Sequence, residues 1–94
     1  RTPKINQDSG RDHWPTGWSV VLGGGKIKGG EVVGAMSDDG TEIADRPVDV
    51  SNLFATLYES VGVSAATELR SPNGRPLKLV GTFGSGDAVR EILS

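Results

Sequence analysis

"DVSNLFATLYESVG", residues 49–62, is the stretch from which the rest of the chain is read. Val50, Leu53, Phe54, Leu57, Tyr58 and Val61 recur at the 3.6-residue period, which puts all six on one broad face of a helix. Asp49 or Ser51 supplies a side-chain oxygen to cap its start. Gly62 suits the left-handed position just past its end. The pattern predicts a helix with Phe54 and Tyr58 in the core.

Upstream lie strand candidates. "WSVVL" (18–22) is a short β-branched apolar run, which fits a strand buried on both faces, as in a parallel sheet. "EVVGAMS" (31–37) is a second, with Gly34 as a bulge or close-contact point. "DDG" (38–40) is a turn, after which "TEIAD" (41–45) pairs back as an edge strand. Between them "GGGKIKGG" (23–30) holds five glycines in eight residues. Downstream, "SPNGRP" (71–76) is a turn, "LKLV" (77–80) is strand-like and "GTFGSG" (81–86) a flexible loop. "DAVREILS" (87–94) forms a short terminal helix with Val89, Ile92 and Leu93 inward. Residues 1–17 are polar and broken by Pro3, Gly10, Pro15 and Gly17, which is loop chemistry.

The totals bound the answer. A chain of 94 residues makes one small domain and buries only about 60–65% of the surface its unfolded form exposes. Ten Lys and Arg against twelve Asp and Glu give a net charge of −2, which argues against a nucleic-acid surface and a polybasic membrane patch. No apolar run reaches the length of a membrane span. There is no cysteine, hence no disulfide framework and no thiolate metal site. No signal peptide is visible and the first residue is Arg1, so "RTPKIN" reads as the middle of a longer chain.

Several stretches invite a chemical reading. A P-loop needs G-x-x-x-x-G-K followed by Ser or Thr; here Gly25-Lys26 is followed by Ile27, and position 20 is valine. The G-x-G-x-x-G pattern fails at Lys28. The cluster is therefore a glycine-rich connection between strands, in which Lys26 or Lys28 can offer charge to an anion. Asp38-Asp39-Gly40 is a fragment of a calcium loop at most, and reads as a turn. Asp45-Arg46-Pro47 reads as a salt-bridged lead into the helix, and Arg70, Arg75 and Lys78 as solvated surface. "GRDHWP" (10–15) carries the chain's single histidine. Imidazole nitrogen and carboxylate oxygen suit a divalent ion, yet His13 and Asp12 cannot supply a full ligand set. The plainer alternative has His13 bonded to loop backbone above Trp14 and Trp18. No G-x-S-x-G elbow marks a serine nucleophile.

The order of these pieces, "RTPKINQDSGRDHWP", an apolar strand, "GGGKIKGGEVVGAMSDDG", "DRPVDVSNLFATLYESVGV" and "NGRPLKLV", resembles the C-terminal end of the bacterial domain of unknown function 1501, over nearly the whole chain. That family is similar to the alkaline phosphatase and sulfatase superfamily. The resemblance implies an α/β fold, the C-terminal fragment of an alkaline-phosphatase-like sandwich around a mostly parallel sheet. On this expectation residues 1–94 are a single piece of a larger sulfatase-like domain. Residues 1–17 form an active-site-type loop, 18–45 the strands and glycine-rich loop, 49–62 the helix that packs on the sheet, and 77–94 a strand and terminal helix.

The resemblance also implies a site. His13, just before a late strand, matches the histidine that completes the metal centre in such enzymes. Asp12 then orients His13 or reaches the metal itself, and Arg11 faces the substrate's anionic group, to which Lys26 of the glycine-rich loop, on its own chemistry, is the other substrate-binding candidate. The metal is divalent; zinc, calcium and magnesium are not distinguished. The nucleophile lies upstream of Arg1. The substrate is an anionic phosphate or sulfate ester or a polysaccharide, the partner is the upstream part of the same chain, and the location is periplasmic or extracellular after twin-arginine export. A non-catalytic exported binding or structural module with a degenerate hydrolase fold is the competing expectation.

Overall fold

The computed structural model describes residues 1–81 and 85–94. They form two compact units, Arg1–Val21 with Val33–Pro47, and Leu22–Val32 with Val48–Ser94. In chain order the elements are β1 (Ala35–Met36), β2 (Ile43–Asp45), α1 (Val50–Ser60), β3 (Glu68–Arg70), β4 (Pro76–Lys78) and a 3-10 turn at Arg90–Ile92. Each sheet among the described residues is a two-stranded antiparallel pair, β1 with β2 and β3 with β4. The class is mixed α/β.

Helix α1 forms where the periodicity places it, and both ends are closed. Asp49 caps the start: its carboxylate accepts from Asn52 N at 2.8 Å and from the Ser51 hydroxyl at 2.6 Å. Asn52 Oδ1 accepts from Asp49 N at 2.9 Å, completing a reciprocal capping box. At the other end Gly62 sits at φ 88°. Gly62 N donates to Glu59 O and Val63 N to Tyr58 O, the Schellman arrangement that satisfies the last turn's carbonyls. Ser60 Oγ takes the Leu57 carbonyl, and Lys26 N takes that of Ser60 at 3.2 Å. All four carbonyls that a helix C-terminus leaves open are thus bonded.

The buried face of α1 is a correction to the sequence reading. Ser51, Asn52, Ala55, Thr56 and Ser60 are buried. Val50, Phe54, Leu57 and Val61, the expected core face, are exposed, Val61 to 72%, and Leu53 and Tyr58 are half-buried. The reason is local. The segment 85–89 approaches α1 closely enough for its backbone to hydrogen-bond Ser51, Asn52 and Thr56, and only small side chains admit that approach. The core of this unit is Ala55, Val80 and Ala88, with Tyr58, Ala65 and Leu93 packed around it.

The strand expected at 18–22 is also absent. Trp18 is 60% and Val21 95% exposed. No backbone hydrogen bond joins residues 18–22 to any described residue. A strand exists only through a neighbour's ladder, and none lies beside this run. Of 31–37 only Ala35–Met36 pairs; β2 returns against it as expected, with an irregular register between Ala35 and Met36. The intervening turn is held by Asp39, whose Oδ1 accepts from Ser37 Oγ, Thr41 Oγ1 and Thr41 N. Hydrogen bonds from the Thr41 and Ser37 hydroxyls hold its carboxyl below the usual range.

In the second unit β4 takes the early part of 77–80, and its partner β3 was not anticipated. Ser71–Gly74 turns between them, with Gly74 N donating to Ser71 O. The terminal helix is reduced to the 3-10 turn, but Val89 is buried and Ile92 and Leu93 half-buried as expected. The loop reading for 81–86 falls partly on 82–84, outside the described residues. The glycine-rich loop joins no strands. It docks instead between the end of α1 and the chain's last residues, with Ile27 bridged to Leu93.

Two outcomes test this account by thermal denaturation. Gly25 has φ 54°, and a Cβ there would stand 2.9 Å from Ser60 O, so Gly25→Ala should destabilise by about 1–3 kcal/mol. Gly29→Ala, with open space around it, should stay within about 0.5 kcal/mol. The second concerns acid. The bonds from Ser51 Oγ and Asn52 N hold the Asp49 carboxyl below its ordinary value. Its contribution is therefore present above the unfolded carboxyl's pKa and lost as pH falls through the lower, folded one. Asp49→Ala should cost about 1 kcal/mol at neutral pH, and the difference from the parent should shrink as both are acidified below about pH 4.

Candidate functional site

Residues 1–13 belong to the first unit and are organised by one side chain. Asn6 Oδ1 accepts from Asp8 N and Gly10 N, each at 3.0 Å, while Asn6 N donates to Gly10 O at 2.7 Å and Asn6 O accepts from Ser9 N. Asn6 Nδ2 donates to Asp12 Oδ1 at 3.0 Å. The base of the loop is closed by Thr2: its N donates to Asp12 O at 2.9 Å, and its hydroxyl accepts from Asp12 N at 3.1 Å. A local polar residue thus does what a strand pair would do elsewhere, and delivers residues 11–13 from a closed loop.

The four residues singled out in the sequence have different surroundings. Arg11 folds back on the loop's base, its guanidinium donating to Thr2 O at 3.3 Å. Asp12 has one oxygen committed to Asn6. His13 is exposed, and its ring makes no hydrogen bond to any described residue. Lys26 lies in the other unit, exposed, with its backbone fixed between Ser60 and Ser94.

The plainer reading of His13 does not describe the loop. Trp14 is half-buried and donates from Nε1 to Thr41 O at 2.8 Å, but Trp18 is exposed and the imidazole bonds no loop carbonyl. Asp12 and His13 supply a carboxylate oxygen and imidazole nitrogens, donors of the kind divalent cations take. Their number falls short. Among the described residues no three His, Asp or Glu side chains gather into a group that could hold an ion. Chemically the loop presents one partly committed carboxylate and one uncommitted imidazole to whatever lies outside it.

Asn6 is the residue that reading for chemistry passed over. The signal was there: an asparagine followed by Gln-Asp-Ser-Gly is a run of turn formers, and an Asn side chain characteristically bonds backbone two residues on.

Among the described residues no helix is long and apolar enough to cross a membrane. No curated protein and no solved structure matches the chain. A family model, described as protein of unknown function (DUF1501), matches residues 1–93. On a match of that extent the chain belongs to the DUF1501 family.

Proposed function

We propose that these residues are the C-terminal part of an exported sulfatase- or phosphatase-like protein with an alkaline-phosphatase-like sandwich. In that protein His13, with Asp12 beside it, contributes to a divalent-metal centre whose other ligands and nucleophile come from elsewhere in the molecule. The observation that carries the reading is His13 itself: an imidazole on a tightly braced loop, exposed, and used by none of the loop's own hydrogen bonds. A bound divalent ion would stabilise charge on the oxygens of a phosphate or sulfate ester. Within this chain, Asn6 holds Asp12 and so limits the carboxylate's freedom next to the imidazole. Within its own unit Arg11 is a cation that can meet an anionic group after release from Thr2 O, and Lys26, in the other unit, can do so separately. The exposed apolar residues at Trp18, Val21 and Val61 accord with surface that further sheet and helix layers cover.

The alternative is a non-catalytic exported module of the same descent, binding a polysaccharide or a surface partner. It is favoured by one observation, that two donors are all the loop assembles.

Metal analysis of the longer protein separates the two. The parent should hold about one equivalent of divalent ion per centre. His13→Ala should lose it, and acid should release it, because protons compete for the imidazole. Equal metal content in parent and variant would remove His13 from the ligand set. Residues 1–94 alone should hydrolyse neither aryl phosphates nor aryl sulfates.

A further inference from the structure

We propose that the C-terminal strap, residues 85–94, and the glycine-rich loop, residues 24–28, form one latch: they open and close together while α1 stays formed, and the closed latch fixes the main chain at Lys26. The inference does not rest on the metal or anion assignments above.

Three sets of bonds carry it. The strap is fastened to α1 by polar side chains one helical turn apart. Gly86 N donates to Ser51 Oγ at 3.1 Å, and Asn52 Nδ2 donates to Ser85 Oγ and Asp87 O at 2.8 Å each. Val89 N donates to Thr56 Oγ1 at 2.9 Å, and Arg90 pairs with Glu59 at 3.4 Å. From Asn52 to Thr56 the helix rises about 6 Å, and from Asp87 to Val89 an extended chain advances about 6.6 Å, so the two sets of groups stay in step. The strap in turn holds the loop. Lys28 N donates to Ile92 O at 2.8 Å, and Lys26 O accepts from both Ser94 N at 2.8 Å and Ser94 Oγ at 3.0 Å.

The third set is small. Apart from its bonds to the strap and its internal bond between Ile27 N and Gly24 O, the loop's one backbone bond to a described residue is Lys26 N to Ser60 O. Freed from the strap, the loop keeps a single tether to α1 and five residues rich in glycine, too little to hold one conformation. Ala88 and Val89 are the strap's buried side chains, and Ile92 and Leu93 are half-buried. A terminal segment fastened along one edge, largely by polar bonds, opens below the global unfolding free energy.

Native-state hydrogen exchange of the 94-residue chain, followed by NMR through a denaturant series below the unfolding transition, tests the latch. The amides of Lys28, Val89 and Ser94 should share one opening free energy and one denaturant slope, both below those of Ala55 and Thr56 in α1. Different slopes for Lys28 and Val89 overturn the proposal. In Thr56→Val, which is isosteric but removes the acceptor for Val89 N, the three amides should exchange roughly tenfold faster or more, and together. Ser71 in the hairpin should be unchanged. Acceleration confined to Val89 overturns the latch as well, and if the variant unfolds, the slopes of the unaltered chain decide.

Discussion

Asn52 and Thr56 fasten the C-terminal segment to α1 by hydrogen-bonding its backbone, at positions where a helix usually buries hydrocarbon. Thr56 is fully buried, donating to Asn52 O and accepting from Val89 N. Each such bond contributes only about 1 kcal/mol net, but a buried amide left without its partner costs about 1–3 kcal/mol. The bonds therefore decide register more than they add stability. They dictate small neighbours such as Ala55 and Ala88, bring Val89 inside, and lead the chain past Arg90 to where Ser94 meets Lys26.

The same choice turns the apolar stripe of α1 outward. Val50, Phe54, Leu57 and Val61 lie on the side opposite Asn52 and Thr56. The charged residue in α1, Glu59, is on the buried side with Arg90. Nothing polar interrupts the outward stripe, so its spacing carries the mark of a buried surface while its neighbours leave it open. The run at Trp18, Val20 and Val21 shows the same mismatch, apolar side chains left open among the described residues.

Local chemistry is what the sequence disclosed well. The Asp49 cap, the Gly62 terminus, the turn at Asp38–Gly40 and the inward Val89 follow from side chains acting within a few residues of themselves. What went unread depends on distant contacts. Periodicity reports that α1 has an apolar face; it cannot report which of two faces a given neighbour meets. "WSVVL" has the composition of an interior strand, but pairing belongs to the partner as much as to the run. β3 was missed because Glu68–Arg70 is three exposed residues without a pattern, defined only by Pro76–Lys78 opposite. For the candidate site, the position of His13 between a turn and a tryptophan was visible, whereas Asn6 as the organiser of the loop became clear only through its bonds.

The hairpin of β3 and β4 has a practical use. Its strands are exposed on every residue, and Gly74 at the tip has open space around it. Closing a longer loop there adds only slowly to the entropic penalty, about 0.6 kcal/mol per doubling of length. The tip between Ser71 and Arg75 is thus a natural insertion point for an epitope or a fluorophore, a handle that leaves the strap and the helix untouched.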